Sequence, residues 1–351
     1  MDHTTPALGA IPSPHDYRDH YLTATATPGV PLVLPAAFNT VMPGPVLMQA
    51  QTPSCVSHSV AQLLQLYHFN QTGVLVNFSP RFLDVLAKRF DGQPLDGGTI
   101  PRLVFKLAVQ YGCATTSTVI NDTSLPLAQY RNDSILTPQA FAEALKYRIP
   151  GFIRVPVDFV SFREAVFLHG AVSVLSQIGS EWWLPDWSDA SIDPLRVPVT
   201  SVGGHQTVTK GWSDDTFDVL RNSWSAAWAN KGEAKYNFNS WAPYISEGWV
   251  IADVPKDVVS FLRDLPSPSD FHYEFDNNMK IGDINNDVKA LQIALMITGF
   301  LAPVDPSSLG IYGPRTSAAV GAFQQAHLIT PPAPTSCGPK TRAALNNLFA
   351  L

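Results

Sequence analysis

The feature that most constrains this sequence is a long segment without charge, because residues 20–80 contain no Asp, Glu, Lys or Arg. A segment of this kind is buried either in a protein core or in a membrane. Six prolines from Pro28 to Pro53 interrupt every long apolar window, and proline breaks a membrane-spanning helix. We therefore expect no membrane span, and we expect the segment to lie against or within a globular core.

Composition limits the class of protein further. The chain has 351 residues, of which 45% are hydrophobic and 15% are charged, so it can bury a sizeable core and has room for two domains. A net charge of −6 argues against nucleic acid as a partner, because nucleic-acid-binding proteins carry a basic surface. Three cysteines are too few for a disulfide framework, which leaves room for one thiol with a chemical role.

Composition shifts divide the chain into four segments. Residues 1–45 are proline-rich and irregular, which predicts an arm that packs on a catalytic domain at residues 46–262. Residues 263–279 contain prolines and a cluster of Asp and Asn, which is typical of a linker. Residues 280–351 predict a small helical domain.

The larger domain has helical signals first and strand signals later. Thr52-Pro53-Ser54 opens a helix with apolar residues at helical spacing, which puts Cys55 in its first turn. The same reasoning predicts helices at 79–90, 101–111, 138–147 and 158–169, and short β-branched segments predict strands at 171–178, 206–212, 216–221 and 248–252. This order predicts an α+β fold with two unlike lobes, a helical lobe and a β-barrel-like lobe.

Three polar residues follow the order that thiol catalysis requires. A cysteine attacks as a thiolate, and the N-terminus of a helix lowers the pKa of a thiol there, which is the position of Cys55. The thiol needs a base and a group that orients the base. His205 lies 150 residues downstream, before an apolar strand, and Asn222 follows the next strand. These distances are close to those expected for a papain-type triad.

Residues 10–255 resemble the papain-family cysteine peptidases of the bacterial and viral kind. Four motifs carry the resemblance: Gln49 six residues before Cys55, Asp96-Gly97-Gly98-Thr99, Gly204-His205 before an apolar strand, and Arg221-Asn222-Ser223-Trp224. The resemblance implies a papain-like fold and hydrolysis of peptide bonds through a covalent acyl-enzyme.

The resemblance also implies a role for each matched residue. Cys55 would be the nucleophile, His205 the base and Asn222 the group that orients the histidine ring. The side chain of Gln49 would stabilise the oxyanion together with the backbone N–H of Cys55. Gly97 and Gly98 would line the substrate cleft on the side before the scissile bond. Gly204 and Trp224 would also belong to the substrate-binding residues, and Trp224 would shield the His205–Asn222 hydrogen bond from water.

The C-terminal segment contains an internal repeat, in which Gly313-Pro314 and Gly338-Pro339 each precede a helical pattern. Residues 280–351 resemble a small three-helix peptidoglycan-binding module, with the match running from Asp287-Val288-Lys289 through Gly310-Ile311-Tyr312-Gly313 to Phe323-Gln324. The resemblance implies peptidoglycan as a partner of this domain, in addition to a peptide or protein substrate of the larger one.

The sequence therefore predicts a cysteine endopeptidase directed to the bacterial cell wall or to wall-associated protein. Two alternatives stay open: a catalytically silent papain-like binding or structural protein, and a thiol acyltransferase. The first twenty residues lack the pattern of a signal peptide, so we expect release by lysis, non-standard export or a virion rather than ordinary secretion. No cofactor is expected, and no Cys/His cluster has the spacing of a metal site.

Two further residues near the predicted site have ambiguous patterns. His58 lies one helical turn after Cys55, and we expect it to face solvent or the opposite lobe rather than to pair with the thiol. The loop around Glu181-Trp182-Trp183 either borders the substrate cleft or is a packed insert, and packing is favoured because aromatic residues normally bury.

Overall fold

The computed structural model describes residues 6–16, 19, 21–22, 34–183, 195–214, 216, 218–252, 266, 270–301, 309–330 and 335–350. The chain divides into two compact units, residues 1–255 and 256–351, and each has its own hydrophobic core. The predicted boundaries at 262 and 279 stay predictions, because most of residues 253–269 lie outside the described parts. No helix in the described parts is long and apolar enough to cross a membrane.

Helix α1, Cys55–Thr72, carries the predicted nucleophile at its first position. Every residue from Cys55 to Leu66 is buried, because this half of the helix packs on both the sheet and the neighbouring helices. A helix surrounded on all sides cannot carry charged side chains, which explains part of the charge-free segment. The helix ends at Gly73, whose φ of 70° is the left-handed conformation that glycine adopts readily.

The remaining helices of the first unit begin with ordinary sequence signals. They are α2 Pro80–Lys88, α3 Pro101–Gln110, α4 Leu127–Tyr130, α5 Pro138–Ala144, α6 Phe159–His169 and α7 Phe238–Trp241. Proline occupies the first turn of α2, α3 and α5, where its missing N–H costs no hydrogen bond. The side chains of Ser79, Thr137 and Asp158 cap α2, α5 and α6 by accepting a hydrogen bond from a backbone N–H.

An antiparallel sheet forms the second half of this unit. Its strands are β1 Phe38–Asn39, β2 Phe152–Val155, β3 Val172–Gly179, β4 Ser201–Trp212, β5 Asp218–Arg221, β6 Glu233–Tyr236 and β7 Ile245–Ile251. The strand order is β2-β7-β3-β4-β5-β6, and β1 pairs with β4. Helices followed by an antiparallel sheet confirm the predicted α+β class.

The described part of the second unit contains three helices: α8 Asn286–Ile297, α9 Pro314–Ala326 and α10 Pro339–Phe349. The internal repeat of the sequence recurs in its hydrogen bonds. Gln292 of α8 donates to Thr316 in the first turn of α9 and accepts from the backbone of Gly310. Gln324 of α9 donates to Thr341 in the first turn of α10 and accepts from the backbone just before that turn. Each buried glutamine therefore ties one helix to the start of the next.

Candidate active site

Strand pairing brings the predicted base and its orienting group together. His205 lies in β4 and Asn222 follows β5 directly, and these two strands pair antiparallel with Val208 opposite Arg221. Nε2 of His205 lies 2.8 Å from Oδ1 of Asn222, and both residues are fully buried. This hydrogen bond makes Nε2 the protonated nitrogen and leaves Nδ1 free, and Nδ1 has no hydrogen-bond partner.

Two tryptophans cover the histidine ring. The ring of Trp224 lies 4.8 Å from that of His205 at an angle of 33°, and Trp182 meets the same ring edge-on at 5.9 Å. Both indoles are buried, so water has no access to the His205–Asn222 hydrogen bond from this side. Trp182 is thus packed against the histidine ring, as the favoured interpretation of its loop predicted, and Trp224 packs on the same ring. Residues 184–194 of that loop lie outside the described residues.

Gln49 is held in one orientation by polar partners on both sides of its amide. Its Oε1 accepts a hydrogen bond of 2.7 Å from the hydroxyl of Ser223, so Nε2 faces the opposite way. Nε2 donates to the carbonyl oxygens of Ala7, at 2.7 Å, and Thr52, at 3.1 Å. Ser223 lies inside a motif that the sequence had identified, but no role was predicted for it.

The cleft beside these residues is filled by the N-terminal arm. Residues 6–13, which we call the cleft segment, run between the thiol and the glycines predicted to bind substrate. Ala10 N donates to the carbonyl of Gly204 at 3.2 Å, Ile11 N donates to that of Thr99 at 3.0 Å, and Thr99 N donates to that of Gly9 at 2.8 Å.

Close backbone contact between the cleft segment and the cleft depends on glycine. A Cβ atom at Gly98 would lie 2.2 Å from the carbonyl oxygen of Gly9, and one at Gly204 would lie 2.2 Å from that of Ala10. A Cβ at Gly9 itself would lie 2.1 Å from the carbonyl oxygen of Pro53. These positions admit an extended chain only because no side chain stands there.

Gly97 has a different environment from its neighbour. Its carbonyl accepts a hydrogen bond of 2.7 Å from the guanidinium of Arg131, which also donates to the carbonyl of Pro53 and pairs with the buried carboxylate of Asp84. Arg131 therefore links the glycine loop to the residues just before the nucleophile. Nothing in the sequence around Arg131 distinguished it from a surface arginine.

Burial controls the protonation of the predicted nucleophile and base, Cys55 and His205. Removal from water raises the pKa of the Cys55 thiol to about 11, although hydrogen bonds from the backbone of Gln206, Gly9 and Val56 act in the opposite direction. Burial also lowers the pKa of His205 to about 4, although the hydrogen bond that the ring donates to Asn222 acts in the opposite direction. Both groups are therefore neutral near pH 7 while the cleft segment is in place.

His58 corrects one expectation, because its side chain is fully buried rather than facing solvent. Nδ1 lies 2.9 Å from the carbonyl oxygen of Ser54, and Nε2 lies 3.2 Å from the amide nitrogen of Asn121. Burial lowers the pKa of His58 to about 4, so the ring is neutral at pH 7. The ring thus contacts the residue before Cys55. Among the described residues, no group of three or more Cys, His, Asp or Glu is placed to hold a metal ion.

Comparisons with known proteins agree with this architecture. The chain is similar to the crystal structure of xylellain, a cysteine protease from Xylella fastidiosa, with a TM-score of 0.61 and 18% identity over 73% of this chain and 99% of that one. It is also similar to proCathepsin B S9 from Trypanosoma congolense, with a TM-score of 0.53 and 14% identity over 70% of this chain and 85% of that one. The first unit thus has the papain-like cysteine protease fold.

The second unit has a separate match. Residues 285–332 match the family model described as a putative peptidoglycan binding domain, and this stretch includes α8 and α9. The predicted combination of a papain-like domain and a peptidoglycan-binding module is thereby confirmed at the level of the two folds.

Proposed function

We propose that the protein is a cysteine endopeptidase that uses Cys55, His205 and Asn222 as its catalytic triad. The observation that carries the proposal is the 2.8 Å bond between His205 and Asn222, which leaves Nδ1 of the ring free to act as a base. Cys55 stands at the first position of α1. The backbone of Gln206, the residue after His205, lies close enough to the Cys55 thiol to lower its pKa, so the thiol lies beside strand β4.

The proposed reaction follows from these positions. His205 takes the proton of Cys55 through Nδ1, the thiolate attacks the carbonyl carbon of the substrate, and the imidazolium then protonates the leaving amine. Two donors stabilise the oxyanion. One is the side-chain N–H of Gln49, and the other is the backbone N–H of Cys55, which has no partner within its helix. Water then hydrolyses the thioester, with His205 acting as base.

The cleft segment keeps the proposed triad inactive, because it occupies the substrate cleft and is not itself hydrolysed. Hydrolysis requires one carbonyl group to face both the thiol and the oxyanion donor. Here Gln49 Nε2 donates to the carbonyl of Ala7, whereas the backbone group of the segment that lowers the pKa of the thiol belongs to Gly9, two residues away. The carbonyl of Gly9 is itself engaged by Thr99. The two requirements thus fall on different peptide groups, and displacement of the cleft segment is needed for activity.

Thiol labelling tests the triad directly, because the chain contains two internal controls. Cys113 and Cys337 are buried, and burial raises the pKa of both thiols. With the cleft segment displaced by Gly9→Ala, an epoxide thiol inhibitor is expected to modify Cys55 alone, and His205→Ala is expected to remove that selectivity. Equal labelling of the three cysteines, or a rate that does not depend on His205, would contradict the proposed triad.

We infer that the second unit directs the peptidase to the cell wall, on the basis of its match to a putative peptidoglycan binding domain. The substrate is then a wall-associated protein or the peptide stem of peptidoglycan. Full-length protein is expected to sediment with purified peptidoglycan, and a chain without residues 270–351 is expected to stay in the supernatant yet keep its reaction with the inhibitor. Equal sedimentation of both chains would rule out this role.

A further inference from the structure

A buried carboxylate contacts the cleft segment from the sheet. Glu247 lies in β7, and only 1% of its surface is exposed. Its Oε1 accepts two hydrogen bonds of 3.0 Å, from the backbone N–H and from the hydroxyl of Ser13. Its Oε2 is buried and has no hydrogen-bond partner. Burying a charged oxygen without a partner is costly, so this arrangement requires an explanation.

Two arginines beside β7 form ion pairs with an acid other than Glu247. Arg102 and Arg154 both lie over the ring of Trp249, two residues further along β7, and both pair with Asp19, at 2.6 Å and 3.3 Å. No ion pair to Glu247 occurs among the described residues. Ser13 is therefore the partner of Oε1 while the cleft segment is in place, and Oε2 is left without a donor.

The arm is anchored beyond the cleft segment independently of it. Leu22 is buried in the core of the sheet, and its N–H donates to the carbonyl of Arg154 at 2.8 Å. Asp19 precedes this anchor by three residues. If residues 6–13 alone left the cleft, Asp19 would keep its ion pairs with Arg102 and Arg154. Glu247 would then have no hydrogen-bond donor among the described residues.

The position of Glu247 relative to the thiol fixes which part of a substrate reaches it. The cleft segment spans four residues from Gly9, at the thiol, to Ser13, and an extended chain covers about 13 Å over that length. It passes Gly98 and Thr99 on the way, on the side that the papain resemblance assigns to residues before the scissile bond. A side chain as long as lysine or arginine reaches that far from two to four residues before this bond.

We propose that Glu247 selects substrates with a basic side chain two to four residues before the scissile bond. This inference rests on the proposed peptidase activity and adds its substrate class. A lysine ammonium or an arginine guanidinium would donate to both carboxylate oxygens, including Oε2, which Ser13 leaves without a donor. Ser13 thus stands in the resting protein for the basic group of the substrate.

Matched peptides test the charge requirement separately from shape. Fluorogenic peptides carry arginine, citrulline or glutamate at the second, third or fourth position before the scissile bond, since citrulline has the shape of arginine without its charge. They are assayed with full-length Gly9→Ala protein and with the same chain carrying Glu247→Gln, a change that keeps the size and one acceptor oxygen. At one of the positions we expect kcat/KM for arginine to exceed that for citrulline by about tenfold or more, and Glu247→Gln to bring the ratio to about one.

The possible results separate this inference from the peptidase proposal. If no peptide is cut and Cys55 is not labelled by the epoxide inhibitor, the peptidase proposal fails. If peptides are cut with the same arginine-to-citrulline ratio in both chains, or if glutamate is preferred, the role of Glu247 is overturned while the peptidase proposal stands. If Glu247→Gln raised the cleavage rates of all peptides equally, the selective role of Glu247 would also be overturned. Its function would then be limited to holding Ser13 in the cleft.

Discussion

The substitution Gly9→Ala separates the cleft segment from the cleft with a single added carbon. The new Cβ would lie 2.1 Å from the carbonyl oxygen and 2.4 Å from the carbonyl carbon of Pro53. Both contacts are with backbone, so no side-chain rotation relieves them. An ordinary contact needs a separation of about 3.5 Å. The cleft segment therefore has to move away from Pro53, and this movement breaks the backbone hydrogen bonds next to Gly9.

The size of the effect follows from the bonds that such a movement breaks. Three backbone hydrogen bonds lie next to Gly9, joining Thr99 to Gly9, Ala10 to Gly204 and Ile11 to Thr99. Each contributes about 1 kcal/mol net. Their loss, about 3 kcal/mol together, raises the population of the open cleft by about two orders of magnitude. The pKa of the Cys55 thiol falls at the same time, because the displaced segment no longer keeps water away from it.

The assay is the rate of alkylation of Cys55 by iodoacetamide, read by peptide mass at a series of pH values. We expect a rate at pH 7 about 10²-fold above that of the parent protein, consistent with the population shift, and an inflection at lower pH. Gly313→Ala is the matched control, because its added carbon meets nothing within 4 Å. An unchanged rate in folded Gly9→Ala protein, or the same increase in the control, would refute the reasoning.

Two further predictions concern residues that support the site. Ser223→Ala removes the hydrogen bond that orients Gln49. In the Gly9→Ala background, kcat/KM should therefore fall by about tenfold, which is less than the loss expected when the oxyanion donor Gln49 is itself removed. Ser57→Ala is the control, because its buried hydroxyl has no partner, and it should leave kcat/KM unchanged. Burial lowers the pKa of His58 and His205 from 6.5 to about 4, so the fold should lose about 3 kcal/mol per histidine as pH falls through this window. His58→Gln should flatten the decrease in unfolding temperature between pH 7 and pH 4.5, and an identical pH dependence would show that His58 does not contribute.

Sequence patterns predicted the central strands of the sheet and missed the ones at its edges. Strands β3, β4 and β7 have mostly apolar or β-branched residues because they are covered by neighbours. Strand β5 keeps an apolar centre between Asp218 and Arg221. Strands β2 and β6 end the sheet, and they carry Arg154, Glu233 and Lys235. Charged residues on an edge strand oppose pairing with another chain, and they also erase the apolar alternation that identifies a strand.

Some residues of the candidate site could be predicted from short motifs, whereas others are defined only by contacts with residues distant in the sequence. Cys55, His205 and Asn222 were identified because each lies in a short motif with its own pattern. Ser223 and Trp182 touch that site through contacts with residues far away in the chain, Gln49 and His205. No local pattern records such contacts. The burial of His58 was missed for the same reason, since its partner Asn121 is supplied by a distant loop.

Three glycines show how the arm and a substrate compete for one surface. Gly98 and Gly204 belong to the cleft, and a side chain at either position would meet the backbone of any chain that runs as the cleft segment does. Gly9 belongs to the arm, and only the arm needs it to be glycine. Substitutions in the cleft therefore weaken inhibition and substrate binding together, whereas substitution of Gly9 affects inhibition alone. Glu247 follows the same logic, because Ser13 occupies the acceptor that a basic substrate would use.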